Sequence, residues 1–581
     1  MKLILKEYLA SLKERNELDK LLPELLSEMG LNVFSKPSIG TRQYGVDIAA
    51  YGRIPEIPTE EVDSTDKVFL FSVKGGDLDR SDWNSGNVQD LLPSLNDIIN
   101  SYIPSHIPSE YKGKPIVICI CFGGDLKERI RFDVAQYQEN NKTDLISFSE
   151  WNGEKIAQFI EEYLLRENLV PSIYRTHLHK SLALIDEPNV SFKNFNSLVR
   201  LLLANEANNN KDKLLRLRQS YLSLWILFTW CRKENNYQSA ILSSEALLLN
   251  SWEMCKAFIS KKDKVSTQII ETFLSIQLLY YQINADFLET KIFPYSDKKY
   301  CISTAARAAT PLDVNLKLFD LVGRIGLLNL WKYFLLNQFE IDDEDKASIK
   351  QDIQNYNNHI VKLINNNPLL LTPYKDSQAI EIFIAIYSLS LDFQNQESIK
   401  NWMKLILQRI NFLYRSHEQY PCNLEKYHEL LNHPKSRTDE YRHKVTGGSI
   451  LYPYIAVIAG VFKHFDVFDN LKEMERDLFG HCNFQLWFSD EKTEDNYYTN
   501  DINHGSSLSH ITLQDGIEPL LNFVFNECSQ NNDFTDLSAI ENGWWPIVFL
   551  ASKHYGLPVP INFLEQAYKD VMAEGKLRGS K

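Results

Sequence analysis

The spacing of hydrophobic residues changes in character near residue 170. Before that point, helical and strand patterns alternate along the chain. Leucines recur at helical spacing up to Met29, and Gly30 follows them as a helix-ending glycine would. Runs of β-branched and aromatic residues bounded by charge or glycine then predict strands. The predicted strands are 31–35, 48–51, 68–73, 116–122 and 145–148, and further helices are predicted over 88–102 and 155–165.

This order of elements, αβββαββα, predicts an α/β domain with a central mixed sheet over residues 1–170. Residues 171–581 show almost only helical periodicity and predict a large all-α region, a solenoid or a bundle of one or two subdomains. Within it, residues 477–515 are poor in helical signal and rich in Asp, Asn, Ser and His. We interpret them as a long loop region, either a lid or a partner-binding insert.

Composition narrows the class of protein. A chain of 581 residues with 44% hydrophobic and 24% charged residues is ordinary globular protein, which excludes disordered and collagen-like classes. Eight cysteines without a CxxC pair argue against a zinc ribbon or a thioredoxin-like site. The N-terminus carries charges too early for a signal peptide, and the longest apolar run, 221–231, is too short to span a bilayer. We therefore expect a soluble cytoplasmic protein without a membrane partner.

Three signals in the first domain carry candidate chemistry. Asp47 starts a predicted strand, Ser72 and Lys74 end the next one, and Asp19 and Glu24 lie on the first helix. Residues 72 and 74 share a face because strand side chains alternate. Phosphodiester cleavage needs a divalent cation to stabilise charge and generate hydroxide, and Mg²⁺ prefers carboxylate oxygens. A nearby lysine can hold the attacking water and offset developing charge.

These residues resemble the PD-(D/E)xK nuclease superfamily, and within it the Mrr-like restriction endonuclease group. The resemblance covers roughly residues 15–165, under a third of the chain, which is a single α/β domain. It rests on GVDI at 45–48, FSVKGG at 71–76, the helix-glycine-strand unit LDKLLPELLSEMGLNV at 18–33, and the ending DLISFSEWNGEKIAQFIEEYL at 144–164.

The resemblance implies a restriction-endonuclease-like sheet and a Mg²⁺- or Mn²⁺-dependent endonuclease acting on nucleic acid, with DNA as the expected substrate. It implies that Asp47 binds metal and that Lys74 is catalytic. Asp19 falls where the family often has a glutamate, with Glu24 as its substitute if the helix register differs. Gln89, at the start of the helix after the lysine strand, would contact substrate.

The chain departs from the family pattern at Ser72, where the family usually has Glu, Asp or Gln. Serine is a neutral and weaker metal ligand. Pro23 would also kink the helix that carries Asp19. The competing hypothesis is therefore a decayed nuclease fold that acts as a nucleic-acid- or protein-binding scaffold.

The net charge of -14 disfavours a nucleic-acid protein, because affinity for nucleic acid depends largely on phosphate neutralisation. The charge is unevenly distributed, however. Residues 1–170 hold 19 Lys/Arg against 28 Asp/Glu, whereas residues 171–233 hold 10 against 4. The basic stretch predicts a phosphate-tracking surface, with a solvated helix face as the alternative. The predicted nucleic-acid contacts are Arg42, Lys211, Lys213, Arg216 and Arg218.

The absence of an ATP-binding motif and the family resemblance together predict which proteins this chain works with. No GxxxxGK[ST] phosphate loop is present, so an energy-dependent step would need an ATPase or sensor partner. Fusions of this nuclease type to large accessory regions are typical of prokaryotic defence against phage and foreign DNA. We therefore expect a homo-oligomeric defence effector gated by its helical region or a partner. Histidines between 428 and 510 lack the paired spacing of a zinc site and predict structural roles.

Overall fold

The computed structural model describes most of the chain. The described residues are 5–6, 9–10, 12, 14–36, 44–54, 65–87, 89–164, 172–203, 209–305, 310–338, 342–502 and 504–569. They form two compact units: residues 1–247 with 261–276 make unit 1, and residues 248–260 with 277–581 make unit 2.

Unit 1 contains a five-stranded mixed sheet whose strands neighbour one another in chain order. The strands are β1 (Asn32–Ser35), β2 (Ile48–Gly52), β3 (Lys67–Lys74), β4 (Ile116–Phe122) and β5 (Ile146–Trp151). The first three are antiparallel to one another, whereas β3, β4 and β5 run parallel. The prediction of an α/β domain built on a mixed sheet is therefore confirmed.

Helices cover both faces of the sheet and continue after it. A π-helical turn, Glu14–Leu18, leads directly into the first helix. The helices of this part of the chain are α1 (Asp19–Glu28), α2 (Arg80–Trp83), α3 (Leu91–Asp97), α4 (Ile103–Ser105), α5 (Glu128–Asn141), α6 (Gly153–Phe159), α7 (Ser172–Ala183), α8 (Pro188–Leu203), α9 (Asn210–Lys233), α10 (Gln238–Cys255) and α11 (Lys264–Phe287).

Helix α5 is the element that the hydrophobic pattern did not predict. Its sequence is mostly polar, and only Ile130 and Val134 are buried. Two parallel neighbours such as β4 and β5 cannot be joined by a tight turn and need a crossover connection, usually a helix. The missing helix was therefore implied by the parallel arrangement of the strands rather than by its own periodicity.

The core of unit 1 forms on both faces of the sheet. On one face, Leu70 of β3 and Ile118 of β4 belong to a buried cluster with Leu95 of α3 and Ile130 of α5. On the other, Phe71 makes an edge-to-face contact with Trp151, with ring centroids 5.0 Å apart. Burying both faces fits the almost wholly apolar sequence of β4.

The compact unit extends beyond the end of the α/β pattern. Residue 170 marks the change to helical periodicity, but residues up to 247 belong to unit 1. Helix α9 packs against α1, and Arg218 of α9 forms an ion pair with Glu24 of α1. The first helices of the predicted all-α region are therefore structural partners of the sheet domain.

Unit 2 is mostly helical, as predicted. Its helices are α12 (Cys301–Ala305), α13 (Pro311–Gln338), α14 (Asp343–Asn366), α15 (Ala379–Ser390), α16 (Gln396–Ser416), α17 (Tyr427–Leu431), α18 (Asp439–Val445), α19 (Leu451–Val461), α20 (Phe465–Leu478), α21 (Thr493–Asn496), α22 (Ile517–Gln530), α23 (Ser538–Glu541) and α24 (Pro546–Tyr555). Among the helices of the described residues, none has the length and apolar composition required to cross a bilayer.

The segment 477–515, predicted as a long loop, contains short ordered elements. Strand β7 (Asn483–Phe484) pairs with β6 (Gly448–Ser449), and β8 (Leu486–Phe488) pairs with β9 (Ser506–Leu508). The indole Nε1 of Trp487 donates a hydrogen bond to the carbonyl oxygen of His504 over 2.8 Å. The segment is thus held by local pairing, which its polar sequence did not indicate.

Candidate active site

A tight turn places Asp47 at the start of β2. Gly45 has a φ of +78°, and a Cβ at this position would lie 2.1 Å from the carbonyl oxygen of Ser94. Only glycine fits such a turn without moving α3. The preceding Tyr44 also has a positive φ, of 49°. The Asp47 backbone N–H then donates to the carbonyl oxygen of Phe71 over 2.8 Å, which fixes the aspartate beside β3.

The Asp47 carboxylate reaches across to the end of β3. Its Oδ2 accepts a hydrogen bond from the backbone N–H of Val73 over 2.7 Å. Burial raises the pKa of Asp47 to about 6, although the Val73 hydrogen bond and the charge of Lys74 act in the opposite direction. The negative charges of Glu14 and Asp19 raise this pKa further. Asp47 is therefore a carboxylate kept in an anionic, partly dehydrated environment.

Lys74 forms an ion pair with Glu14. The distance from Lys74 Nζ to Glu14 Oε2 is 3.1 Å, and the lysine side chain is only 12% exposed. Glu14 lies in the π-helical turn before α1. The lysine is thus directed towards Glu14 rather than extended into solvent, as a strand-end lysine usually would be.

Glu14 is the residue that the sequence analysis missed. It lies five positions before Asp19, and a regular α-helix would set residues five apart about 140° apart around its axis. A π-helical turn closes i→i+5 hydrogen bonds and brings such residues onto one side. Asp19 is buried, and both charges act on Asp47. The turn therefore brings two carboxylates to one site.

Ser72 on β3 and Cys121 on β4 lie on opposite faces of the sheet, because the register partner of Cys121 is Val73. Strand alternation places Ser72 on the face that carries Lys74, and its side chain is 2% exposed. Cys121 of β4 is a buried thiol, and burial followed by the negative charges of Cys119 and Asp47 raises its pKa. Cys121 is therefore a protonated thiol near Asp47, whereas the neutral Ser72 hydroxyl lies on the other face of the sheet.

The structure directs Glu24 towards helix α9. Its Oε2 lies 2.6 Å from Nε of Arg218, and its side chain is 13% exposed. Glu24 therefore faces α9, and Glu14 takes the place that the sequence analysis offered to Glu24. Gln89 lies exposed in the turn before α3, where its backbone N–H donates to Asn87 Oδ1 over 3.3 Å.

The predicted nucleic-acid-binding residues have diverse environments. Lys211 is exposed, and Lys213 and Arg216 are partly buried. Arg218 is 5% exposed and forms ion pairs with Glu24 and Glu28, so it stabilises the helix packing instead of facing a ligand. Arg42 lies outside the described residues. Part of the positive charge of the basic stretch is therefore paired inside unit 1, and the phosphate-tracking surface stays a prediction.

The oxygen donors at this end of the sheet suit a hard divalent cation. Within the part of the chain that the structure describes, however, no three His, Cys, Asp or Glu side chains converge closely enough to hold a metal ion. Mg²⁺ often keeps several waters and takes one or two protein carboxylates, with substrate phosphate completing its shell. The donor set therefore fits a cation held by Asp47 and one carboxylate of the upstream segment.

Three of the unit 2 histidines, His433, His443 and His481, contact other groups of the protein. The Nδ1 atom of His433 lies 3.1 Å from the Tyr441 hydroxyl, and its Nε2 lies 3.1 Å from the Tyr420 carbonyl oxygen. His443 and His481 stack with ring centroids 3.9 Å apart. These contacts suit the structural roles that the spacing predicted.

Comparisons of the chain with models of protein families, with curated proteins and with solved structures each found no match.

Proposed function

We propose that unit 1 is a divalent-metal-dependent nuclease that hydrolyses phosphodiester bonds, with DNA as its expected substrate, on a restriction-endonuclease-like fold. The observation that carries the proposal is the convergence of Asp47 and Lys74 where β2 begins and β3 ends. Two further carboxylates, Glu14 and Asp19, act on the same point. Carboxylates beside an inward-directed lysine are the groups that this chemistry requires.

Each side chain has a distinct role in this proposal. Asp47 and Glu14 would hold Mg²⁺ or Mn²⁺, which when bound supplies charge stabilisation and lowers the pKa of water. The Val73 N–H orients the Asp47 carboxylate. Lys74 holds the attacking water and offsets negative charge on the phosphate. Lys74 pairs with Glu14 in this structure, and its positive charge also acts on the Asp47 carboxylate.

The titration of Asp47 gives the proposal a pH signature. A carboxylate with a pKa of about 6 is mostly protonated at pH 5 and mostly ionised at pH 7. The ionised form is the one that binds a cation. Metal affinity, and cleavage that depends on it, should therefore rise between pH 5 and pH 7.

A second candidate function is a binding scaffold on the same fold. The specific observation in its favour is that Lys74 already neutralises Glu14, while Ser72 offers no charge and no three-residue metal cluster is present among the described residues. In such a protein the lysine–glutamate pair would be a structural contact. The nuclease hypothesis and the scaffold hypothesis therefore differ in whether a cation binds at Asp47.

The deciding experiment measures cleavage and metal binding with the full chain. Plasmid DNA, linear duplex, single-stranded DNA and RNA would each be incubated with wild type, Asp47→Asn and Lys74→Met in Mg²⁺ or Mn²⁺. Lys127→Met is a matched control, because Lys127 lies in the loop after β4 and pairs with Asp77 on the surface. Cleavage by wild type and the control, with at least about 100-fold loss in both site variants, supports the nuclease.

Metal binding is tested separately by thermal unfolding. A cation that binds the native state must raise its melting temperature. A Mn²⁺-induced shift in wild type that disappears in Asp47→Asn supports a metal site at Asp47. If no substrate is cleaved, and if Mn²⁺ causes no shift in melting temperature with any substrate present, the scaffold is favoured.

The proposed role in defence against phage rests on fewer observations than the proposed nuclease activity. A large helical unit joined to the α/β domain, and the missing phosphate loop, support a defence effector that is gated by assembly or by an ATPase or sensor partner. Plaque counts of phage on cells carrying wild type or Asp47→Asn would test this role. Equal plaque numbers against a broad phage panel would contradict it.

A further inference from the structure

One helix outside the sheet holds the segment that carries Glu14 and Asp19. Arg232, near the end of α9, makes two hydrogen bonds to the Glu17 carboxylate: Nη1 to Oε1 at 2.9 Å and Nη2 to Oε2 at 3.4 Å. The Glu17 side chain is fully buried, and that of Arg232 is 22% exposed. A buried carboxylate of this kind requires a paired, hydrogen-bonding cation.

Glu17 belongs to the same π-helical turn as Glu14. Glu14 pairs with Lys74, while Glu17 pairs with Arg232 on α9. The turn is therefore fixed from two sides, by one cation on β3 and by another on α9. A bidentate arginine restrains both position and rotation of the group that it binds. Restraint of Glu17 is thus also restraint of the backbone that presents Glu14 and Asp19.

A second ion pair sets the direction of the same contact. Arg218, fourteen residues before Arg232 on α9, binds Glu24 and Glu28 on the later part of α1. The order of the two contacts is reversed between the helices, so α9 runs antiparallel to the segment from the π turn through α1. Two arginines on α9 therefore form ion pairs with both ends of that segment.

We propose that Arg232 is a positioning residue for the site, and that through Glu17 it holds the π-helical turn so that Glu14 and Asp19 act on Asp47 and Lys74. The catalytic consequence rests on the proposed function, but the positioning itself does not. Helix α9 is then a working part of the site, although its sequence belongs to the helical pattern. A ligand or partner that moved α9 would change the carboxylate arrangement directly.

The test compares full-length Arg232→Met, Arg232→Lys and the double variant Glu17→Gln/Arg232→Met. The single methionine variant leaves Glu17 buried without this cation and should lower the melting temperature. The double variant removes both charges and should regain most of that loss, because replacing a whole buried pair is often nearly neutral. Arg232→Lys should keep the site partly in place. Lys36→Met, which removes an exposed pair with Glu271, is the control and should change nothing.

The readout that separates positioning from simple stability is backbone hydrogen exchange. In the stable double variant, the amides of the π-helical turn Glu14–Leu18 should exchange at least about tenfold faster than in wild type, because the turn has lost one of its two restraints. Amides of the buried strand β4 are the internal reference and should exchange as in wild type.

The outcomes decide two questions separately. A double variant that regains stability while the π-helical turn exchanges faster supports the positioning role, and in an active enzyme kcat should then fall at least about tenfold with KM nearly unchanged. A double variant that regains stability and keeps the wild-type exchange rates in the turn overturns it. If wild type cleaves no substrate, the proposed function fails, and the exchange rates alone still decide whether Arg232 positions the turn.

Discussion

Oδ2 of Asp47 accepts a hydrogen bond from the backbone N–H of Val73 over 2.7 Å, which ties the start of β2 to the end of β3. The same carboxylate has a pKa raised to about 6, with burial as the largest cause. The fold thus holds the group in place while making its ionised form costly. A buried carboxylate with a raised pKa is typical of functional sites.

The first prediction is that Asp47→Asn stabilises the protein at high pH. Because the folded pKa lies above the unfolded value of 3.8, the native state binds more protons between the two values, and stability falls as pH rises through that window. Asparagine removes this cost and can still accept from Val73 N–H. Above pH 7 the variant should therefore be more stable by up to about 3 kcal/mol, as measured by urea unfolding.

At pH 4 the difference should be small, because the Asp47 carboxyl is then neutral in the native state. The control is Asp144→Asn, which removes an exposed carboxylate and should show no such pH dependence. A wild type more stable than Asp47→Asn at pH 8 without metal would contradict the raised pKa.

The strands and the two central site residues could be predicted from sequence because their signals are local. Runs of β-branched and aromatic residues identify β3 and β4, and the strand ends place Asp47 and Lys74 at one edge. Glu14 could not be found in this way, since its place depends on a π-helical turn that departs from regular periodicity. Sequence spacing therefore predicted the residues on the strands but not the helix residue that meets them.

The role of the basic stretch was harder to predict for a different reason. The lysines and arginines in residues 171–233 can be counted from the sequence, but their ion-pair partners cannot. Arg218, for example, pairs with Glu28, which lies 190 residues earlier. Long-range pairing of buried charge has no local pattern. The charge count therefore predicted a basic surface, whereas the fold buries part of that charge in ion pairs between helices.

The second prediction concerns the turn that presents Asp47. Gly45→Ala should destabilise unit 1 by more than about 2 kcal/mol, because a positive φ and a Cβ 2.1 Å from the Ser94 carbonyl oxygen act together. Gly86→Ala is the matched control, with a φ of +98° and no atom within 4 Å of its Cβ. It should cost only the strain of the positive φ, about 1 kcal/mol. Equal losses in thermal unfolding would contradict the close approach.

The third prediction is that Arg218→Met is strongly destabilising. Removing this buried arginine leaves Glu24 and Glu28 facing each other without their cation, which should cost about 3 to 5 kcal/mol. The triple variant with Glu24→Gln and Glu28→Gln removes all three charges and should regain most of that loss. Urea unfolding measures both.

Arg131→Met is the control for Arg218, since Arg131 pairs with Glu128 on the surface with both side chains more than half exposed. Its effect should stay below about 1 kcal/mol. A mild effect of Arg218→Met, similar to that of the control, would show that the pair with Glu24 is not buried in solution.

The fourth prediction is that protonation of His433 destabilises unit 2 at acid pH. Burial lowers the pKa of this imidazole to about 4, although the Tyr420 carbonyl acts in the opposite direction. Because the folded pKa lies below the unfolded value of 6.5, the native state binds fewer protons, and stability falls as pH decreases from about 6.5 towards 4, by up to about 3 kcal/mol. His433→Gln removes the titrating group and should flatten this part of the profile.

The difference between the wild-type and His433→Gln profiles isolates this group from others in unit 2. Burial raises the pKa of Asp376 to about 6, which acts in the reverse direction, and burial lowers that of His481 to about 4. Both are common to the two proteins and cancel in the difference. His428→Gln, at an exposed histidine, is the control and should follow wild type. Parallel wild-type and His433→Gln profiles between pH 7 and pH 4.5 would show that His433 becomes protonated as easily in the native state as in the unfolded chain.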